Sequence, residues 1–111
     1  MDDARIWKAL GSPHRRALLD ALRDGPKTTT ALCEVLPKLS RYAVMQHLGV
    51  LERAGVVLVR REGRERRNEL NAVPIQRELE RWLNGFQQAS ASALLAFERH
   101  VQTSAPKEKE T

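Results

Sequence analysis

The sequence is poor in cysteine: Cys33 stands alone among 111 residues. That excludes an internal disulfide framework and a zinc site built from several thiolates. Aromatic residues make up only 5% of the chain, so any core must come mostly from Leu, Val and Ala. No apolar run approaches the ~18–20 residues of a membrane-spanning helix, and no membrane partner is expected. The opening Met1-Asp2-Asp3 is acidic with no apolar stretch behind it, so no signal peptide is expected and the cytoplasm is the expected location. No Ser/His/Asp arrangement, paired carboxylates or glycine-rich phosphate loop stands in the sequence. At this length a single domain is the default, too small to hold a catalytic cleft beside a binding motif. No enzyme activity, catalytic residue or cofactor is therefore expected.

What is present is charge, unevenly placed. Hydrophobic residues make up 41% and charged residues 30%, which suits a folded chain. The net charge is +5. Between Lys38 and Arg67 stand eight basic residues, Lys38, Arg41, Arg53, Arg60, Arg61, Arg64, Arg66 and Arg67, against three acids, Glu52, Glu62 and Glu65. The remainder of the chain has 11 of each sign and sums to zero. All the net charge thus lies in one block, the electrostatic footprint of an anionic partner such as nucleic acid. A solvated surface without a partner is the blander alternative.

Turn signals divide the chain into short elements. Asp3 to Leu10 is expected as a helix with Ile6, Trp7 and Leu10 on one side. Ser12 and Pro13 cap and start a second helix with Leu18, Leu19 and Leu22 inward, ended by Gly25-Pro26. Thr28 to Leu36 predicts a third helix, with Leu32, Val35 and Leu36 inward. Ser40 caps a fourth, which runs to about Ala54 on a Val44, Leu48 and Leu51 face and stops at Gly55. The period then changes to 2. Val56–Arg61 and Arg66–Asn71 read as strands joined through Glu62-Gly63-Arg64-Glu65. Pro74 opens a long last helix with Ile75, Leu79, Trp82, Leu83, Phe86, Leu94, Phe97 and Val101 as its apolar residues, and Gly85 inside it. The segment 103–111 alternates Lys and Glu, has nothing to bury, and is expected to be disordered.

The resulting class is mainly α with a small β-hairpin, in the order α-α-α-α-β-β-α. Two short helices joined by a tight turn and followed by a hairpin make a winged helix-turn-helix, expected over residues 1–102 with dimerisation helices at both ends. Ser40 to Ala54 becomes the recognition helix and the hairpin the wing. Both basic clusters then fall on one DNA-facing surface.

The residues also resemble a known family, the bacterial ArsR transcriptional regulators. The resemblance rests on Ala9-Leu10-Gly11-Ser12-Pro13-His14-Arg15-Arg16, on Leu39-Ser40-Arg41-Tyr42-Ala43-Val44-Met45-Gln46-His47-Leu48, on Val50-Leu51-Glu52-Arg53-Ala54-Gly55-Val56-Val57 and on Arg60-Arg61-Glu62-Gly63-Arg64. It covers roughly residues 5 to 83. It implies a homodimer that binds operator DNA, usually as a repressor, and releases it on an inducing signal such as a small molecule. Leu70-Asn71-Ala72-Val73-Pro74-Ile75-Gln76, Arg81-Trp82 and Val44-Met45-Gln46-His47-Leu48 are similar to one branch that lies apart from the metal sensors. Those sensors carry Cys-x-Cys on the third helix. Here Cys33 matches the first cysteine and Val35 occupies the second, so no metal site is expected and Cys33 reads as a small core residue. Glu98 and His100 on the last helix are not ligand-spaced, and His14 and His47 are separated.

The expected DNA-binding residues are Ser40, Arg41, Tyr42, Met45, Gln46 and His47 on the recognition helix and Arg61, Arg64 and Arg66 on the wing. Arg reads guanine and Gln reads adenine bidentately; Ser40 caps a helix N-terminus that itself attracts phosphate. Met45 stands where relatives commonly have Ser, and could touch a thymine methyl or pack beneath the helix. Along the wing, alternation implies that Arg61 and Arg67 need not accompany Arg60 and Arg66, and that some pair with Glu62, Glu65 or Glu69. The expected dimer interface is Ile6, Trp7 and Leu10 from the first helix with Trp82, Phe86, Leu94 and Phe97 from the last. A homodimer on double-stranded DNA predicts an inverted-repeat operator. Two alternatives stay open: a thiol- or ligand-responsive switch using Cys33, and an architectural module that binds DNA without sequence preference.

Overall fold

The computed structural model describes residues 3–103; the expected disorder of 104–111 lies outside them. The order is α1 (Ala4–Leu10), α2 (Pro13–Leu22), β1 (Lys27–Thr28), α3 (Thr29–Cys33), α4 (Arg41–Arg53), β2 (Val57–Glu62), β3 (Glu65–Leu70) and α5 (Val73–Thr103). It divides into two compact units, one ending at Glu78 and the other beginning at Leu79. The first is a winged helix-turn-helix. Its three-stranded antiparallel sheet has the order β1-β3-β2.

Side-chain caps start the first four helices. Asp3, Ser12, Thr28 and Ser40 have extended backbones, and each accepts a hydrogen bond from a backbone N–H of the first turn, which satisfies donors that have no partner within the helix. Ser40 Oγ accepts from Ala43 N–H at 3.1 Å. At the other end of α4, Gly55 N–H donates to Glu52 C=O at 2.9 Å and Val56 N–H to Leu51 C=O at 3.1 Å. This pair of bonds is a Schellman motif, and it requires the φ of +79° that Gly55 adopts. Its hydrophobic contact is also present, since Leu51 and Val56 are both fully buried. The motif turns the chain out of the helix and directly into the wing.

Among the described residues, the buried core contains no aromatic side chain. Ile6 and Ala9 of α1, Leu18, Leu19 and Leu22 of α2, Leu32 of α3, Val44, Leu48 and Leu51 of α4, and Val56 and Val57 leading into β2 form one buried cluster. Trp7 lies at its edge, where its indole N–H donates to the buried carboxylate of Glu78 at 2.8 Å. That bond ties the start of α5 to α1.

Several sequence expectations need correction. Ile6 is 1% exposed within a single chain, so it is core and no partner can reach it; only Trp7 and Leu10 of the α1 trio keep accessible surface. The third helix stops at Cys33 rather than Leu36. Residues 34–36 continue as i→i−3 turns, with Val35 N–H on Leu32 C=O at 3.0 Å. At three residues per turn Val35 rotates outward, and it is exposed instead of buried.

The strand β1 was not foreseen. It pairs Lys27 with Asn68 and Thr28 with Arg67. The buried Asn68 amide holds it, donating to Lys27 C=O at 3.2 Å and to Thr29 Oγ1 at 3.1 Å.

Candidate nucleic-acid interface

Helix α4 presents two faces. Val44, Leu48 and Leu51 point into the core. Tyr42, Met45 and Gln46 are exposed on other sides, Tyr42 at 74% and Met45 at 38%. The cap at Ser40 leaves the N-terminus of the helix open to solvent, with the donors and dipole that favour a phosphate.

Two of the expected α4 residues are turned elsewhere. Arg41 is exposed, but its guanidinium leans on α3: Nη1 donates to Thr30 Oγ1 at 3.3 Å and lies 4.0 Å from Cys33 Sγ. His47 faces α2. Its Nδ1 accepts from Arg15 Nη1 at 3.1 Å, and its ring lies 5.4 Å from that of His14. Arginine cannot accept, so Nδ1 is unprotonated in this arrangement. Burial, and then the charges of Arg15 and His14, hold the His47 imidazole below its ordinary pKa.

The same Arg15 head group donates to Lys8 C=O at 2.7 Å, and its Nε donates to Ala9 C=O at 3.0 Å. It therefore closes the end of α1 and supports α4 at once.

The wing sorts its charges by face. Its two-residue loop, Gly63-Arg64, places Gly63 at φ +63°, as a II′ hairpin turn demands of its first loop residue. That loop sets the register Arg60↔Arg67, Arg61↔Arg66 and Glu62↔Glu65. Arg61 therefore accompanies Arg66, and Arg60 accompanies Arg67, a pairing different from the one simple counting suggested. The outer face holds Arg60, Glu62, Glu65, Arg67 and Glu69. There Arg67 pairs with Glu62 at 2.9 Å and Arg60 with Glu69 at 3.5 Å. The opposite face holds Arg61 and Arg66. Arg66 reaches Glu52 of α4 at 3.6 Å, joining the wing to the helix. Among the described residues no ion pair involves Arg61 or Arg64. Both are exposed. The positive charge left over is thus on the α4 side and at the tip.

Sequence reasoning missed Arg53. It follows Tyr42 and Gln46 by eleven and seven residues, which places the three on one outward stripe of α4 at about 100° per residue. The spacing was available in the sequence, where Arg53 was counted only as part of the basic block.

Cys33 is half-buried and packs against the core. Among the described residues no group of three metal-ligating side chains comes together.

Beyond Leu79, α5 is exposed almost throughout. Trp82, Leu83, Phe86, Leu94, Phe97 and Val101 are 44–68% exposed and share about a third of the helix circumference. The Trp82 and Phe86 rings stack at 6.1 Å. No helix of the described residues is long and apolar enough to cross a membrane.

Known proteins carry the same arrangement. A family model described as a helix-turn-helix domain matches residues 10–60. The chain is 36% identical over 86 residues to the uncharacterized HTH-type transcriptional regulator YuzN of Bacillus subtilis, covering 70% of this chain and 91% of that protein. It is 30% identical over 79 residues to the transcriptional repressor SdpR of the same organism, covering 71% and 87%. Among solved structures, an ArsR family transcriptional regulator superposes with a TM-score of 0.73 at 30% identity, covering 83% of this chain and 98% of that one.

Proposed function

The chain belongs to the ArsR family of helix-turn-helix transcriptional regulators, and from that premise we propose that it is a homodimeric repressor that binds an inverted-repeat operator in the cytoplasm. It is a DNA-binding regulator, not an enzyme. The observation that carries the finer reading is the pairing of an outward α4 row, Tyr42, Met45 and Gln46, with a wing whose unpaired cations lie on the α4 side and at the tip. Such a surface supplies base-reading groups from the helix and phosphate contacts from the wing. Arg61 and Arg64 are the wing contacts, and Arg66 joins them on exchanging Glu52 for a phosphate. Ser40 and the helix N-terminus hold one phosphate. His47 acts through its fit to α2 rather than by touching DNA.

The apolar stripe of α5 supports the dimer. Trp82, Phe86, Leu94 and Phe97 leave more aromatic and aliphatic surface in water than a monomer ordinarily tolerates. A second copy with the same stripe covers it, and Trp7 and Leu10 are the α1 residues proposed for the dimer interface. Twofold symmetry then sets two recognition helices against two half-sites. Repression is the sense of regulation of the relative SdpR, a transcriptional repressor, and release on an inducing small molecule completes the proposed cycle.

The test is selection of duplexes from a random pool, followed by affinity measurements on the selected site and on random DNA. A specific regulator prefers its site by about 10³-fold or more. Gln46→Ala is expected to cost about 1–3 kcal/mol on the selected site and much less on random DNA. Equal affinity for both DNAs in the unmodified protein overturns the reading in favour of an architectural module.

A second reading has one observation in its favour. The Arg41 guanidinium lies 4.0 Å from Cys33 Sγ, so oxidation or alkylation of that thiol displaces the first residue of α4. Operator affinity that is unchanged after alkylation of Cys33 removes this switch.

A further inference from the structure

We infer that Gly49 and Arg53 form one more base-reading unit on α4, in which the missing side chain of the glycine makes room for the guanidinium of the arginine beside Gln46. The inference rests on the proposed role of α4 as the recognition helix.

Tyr42, Gln46, Gly49 and Arg53 follow one another at intervals of four, three and four residues. At about 100° per residue they form a single stripe opposite the buried Val44, Leu48 and Leu51. Gly49 breaks that stripe with a notch. A Cβ built at Gly49 would stand 3.3 Å from Arg53 Nη1 and 3.9 Å from Cζ and Nη2. The guanidinium therefore lies over the backbone of residue 49, one turn N-terminal to its own Cα and toward Gln46. Helical side chains lean in that direction. A cation in the last turn usually serves the helix dipole by meeting the final carbonyls, and this one turns away from them.

Among the described residues Arg53 has no ion pair; Glu52 beside it meets Arg66 at 3.6 Å, and Glu62 meets Arg67 at 2.9 Å. What remains is a solvent-facing planar fork of five N–H donors. Its natural partner in a major groove is the O6 and N7 acceptor pair of guanine, as adenine is for the amide of Gln46, seven residues earlier on the same stripe. The row then reads a guanine beyond the base read by Gln46. A glycine in the middle of an exposed helix face is otherwise a poor choice, because alanine is better there. The notch gives it a purpose.

The experiment is a double-mutant cycle on the selected operator, with random duplex as the reference. Arg53→Ala is expected to lower operator affinity about tenfold and random-DNA affinity by less than twofold. Arg53→Lys keeps the charge but not the fork, and loses the same preference. Gly49→Ala lowers operator affinity several-fold while raising the melting temperature, so the loss cannot come from unfolding. In the Arg53→Ala background, Gly49→Ala then costs nothing further. Additive losses overturn the inference, as does a Gly49→Ala protein with full affinity. An equal loss on random DNA makes Arg53 a phosphate contact and likewise overturns it. Gln46→Ala separates the two levels: if it loses specificity while the Arg53 variants do not, only the Gly49–Arg53 unit fails. If neither loses specificity, the recognition-helix assignment itself fails.

Discussion

The stretch up to Glu78 and the helix from Leu79 onward are built from the same kinds of apolar residue at the same helical spacing, yet they bury them differently. In the first, Leu18, Leu32, Val44, Leu51 and Val56 are inaccessible to water within one chain. In the second, Phe86, Leu94 and Phe97 are each more than 60% exposed. An amphipathic period thus reports that a face needs covering, and is silent on what covers it. The first unit meets that need with its own four helices and sheet. The second leaves it exposed within one chain, and the proposed occupant is a second copy.

That contrast can be broken most severely in the first unit. Leu51→Ala removes a fully buried side chain at the junction of α4 and the Schellman turn. It should cost about 2–5 kcal/mol of unfolding free energy, read by chemical denaturation. A smaller loss would mean that the core at this point is looser than its burial indicates.

In the second unit, Phe86→Glu should act in the opposite way. Sedimentation should shift from dimer to monomer while the winged unit keeps its helical signal, and operator affinity should fall about 10²-fold or more as the two half-sites lose their linkage. A dimer that survives this change would move the interface away from α5.

Arg64→Ala touches neither covered face. Folding and assembly should stay as they are, and the slope of log K against log salt should become shallower by about one unit. Arg60→Ala, on the paired outer face, should leave that slope alone.

The smallest effect is one of pH. The folded His47 has a pKa below its ordinary 6.5, so the unfolded chain binds more protons than the native one just below that value. Stability is therefore full above about pH 6.5 and declines as pH falls toward the depressed folded value. His47→Gln should flatten this dependence in melting curves recorded between pH 7.5 and about 5.

What could be read in advance was local. The caps at Ser12 and Ser40, the Gly55 stop, the inward face of α4 and the Gly63 turn each depend on residues a few positions apart, and their chemistry is explicit. What escaped depends on distant partners. Strand β1 is two residues long and exists because Asn68, 40 positions away, accepts it into the sheet. The rotation of His47 toward α2 depends on where Arg15 lies. Ile6 and Trp7 are adjacent and both apolar, and only the packed helix shows that one is core and the other rim. The faces of the wing escaped although they were local: a loop of two residues makes each paired sum odd, so Arg60 shares a side with Arg67 and not with Arg66.

The sorting of charge on the wing has a kinetic meaning. With Arg60 and Arg67 neutralised by Glu69 and Glu62, one side of the hairpin exerts little pull beyond the ~10 Å over which salt leaves a field intact. The other side and the tip retain theirs. If α4 is the reading helix, as proposed, a duplex approached from solution would apply a torque as well as an attraction, and the molecule would arrive with that helix already turned toward the groove. During a sliding search the same asymmetry would discourage tumbling, so that each brief encounter with irrelevant DNA would be spent with α4 against the base edges.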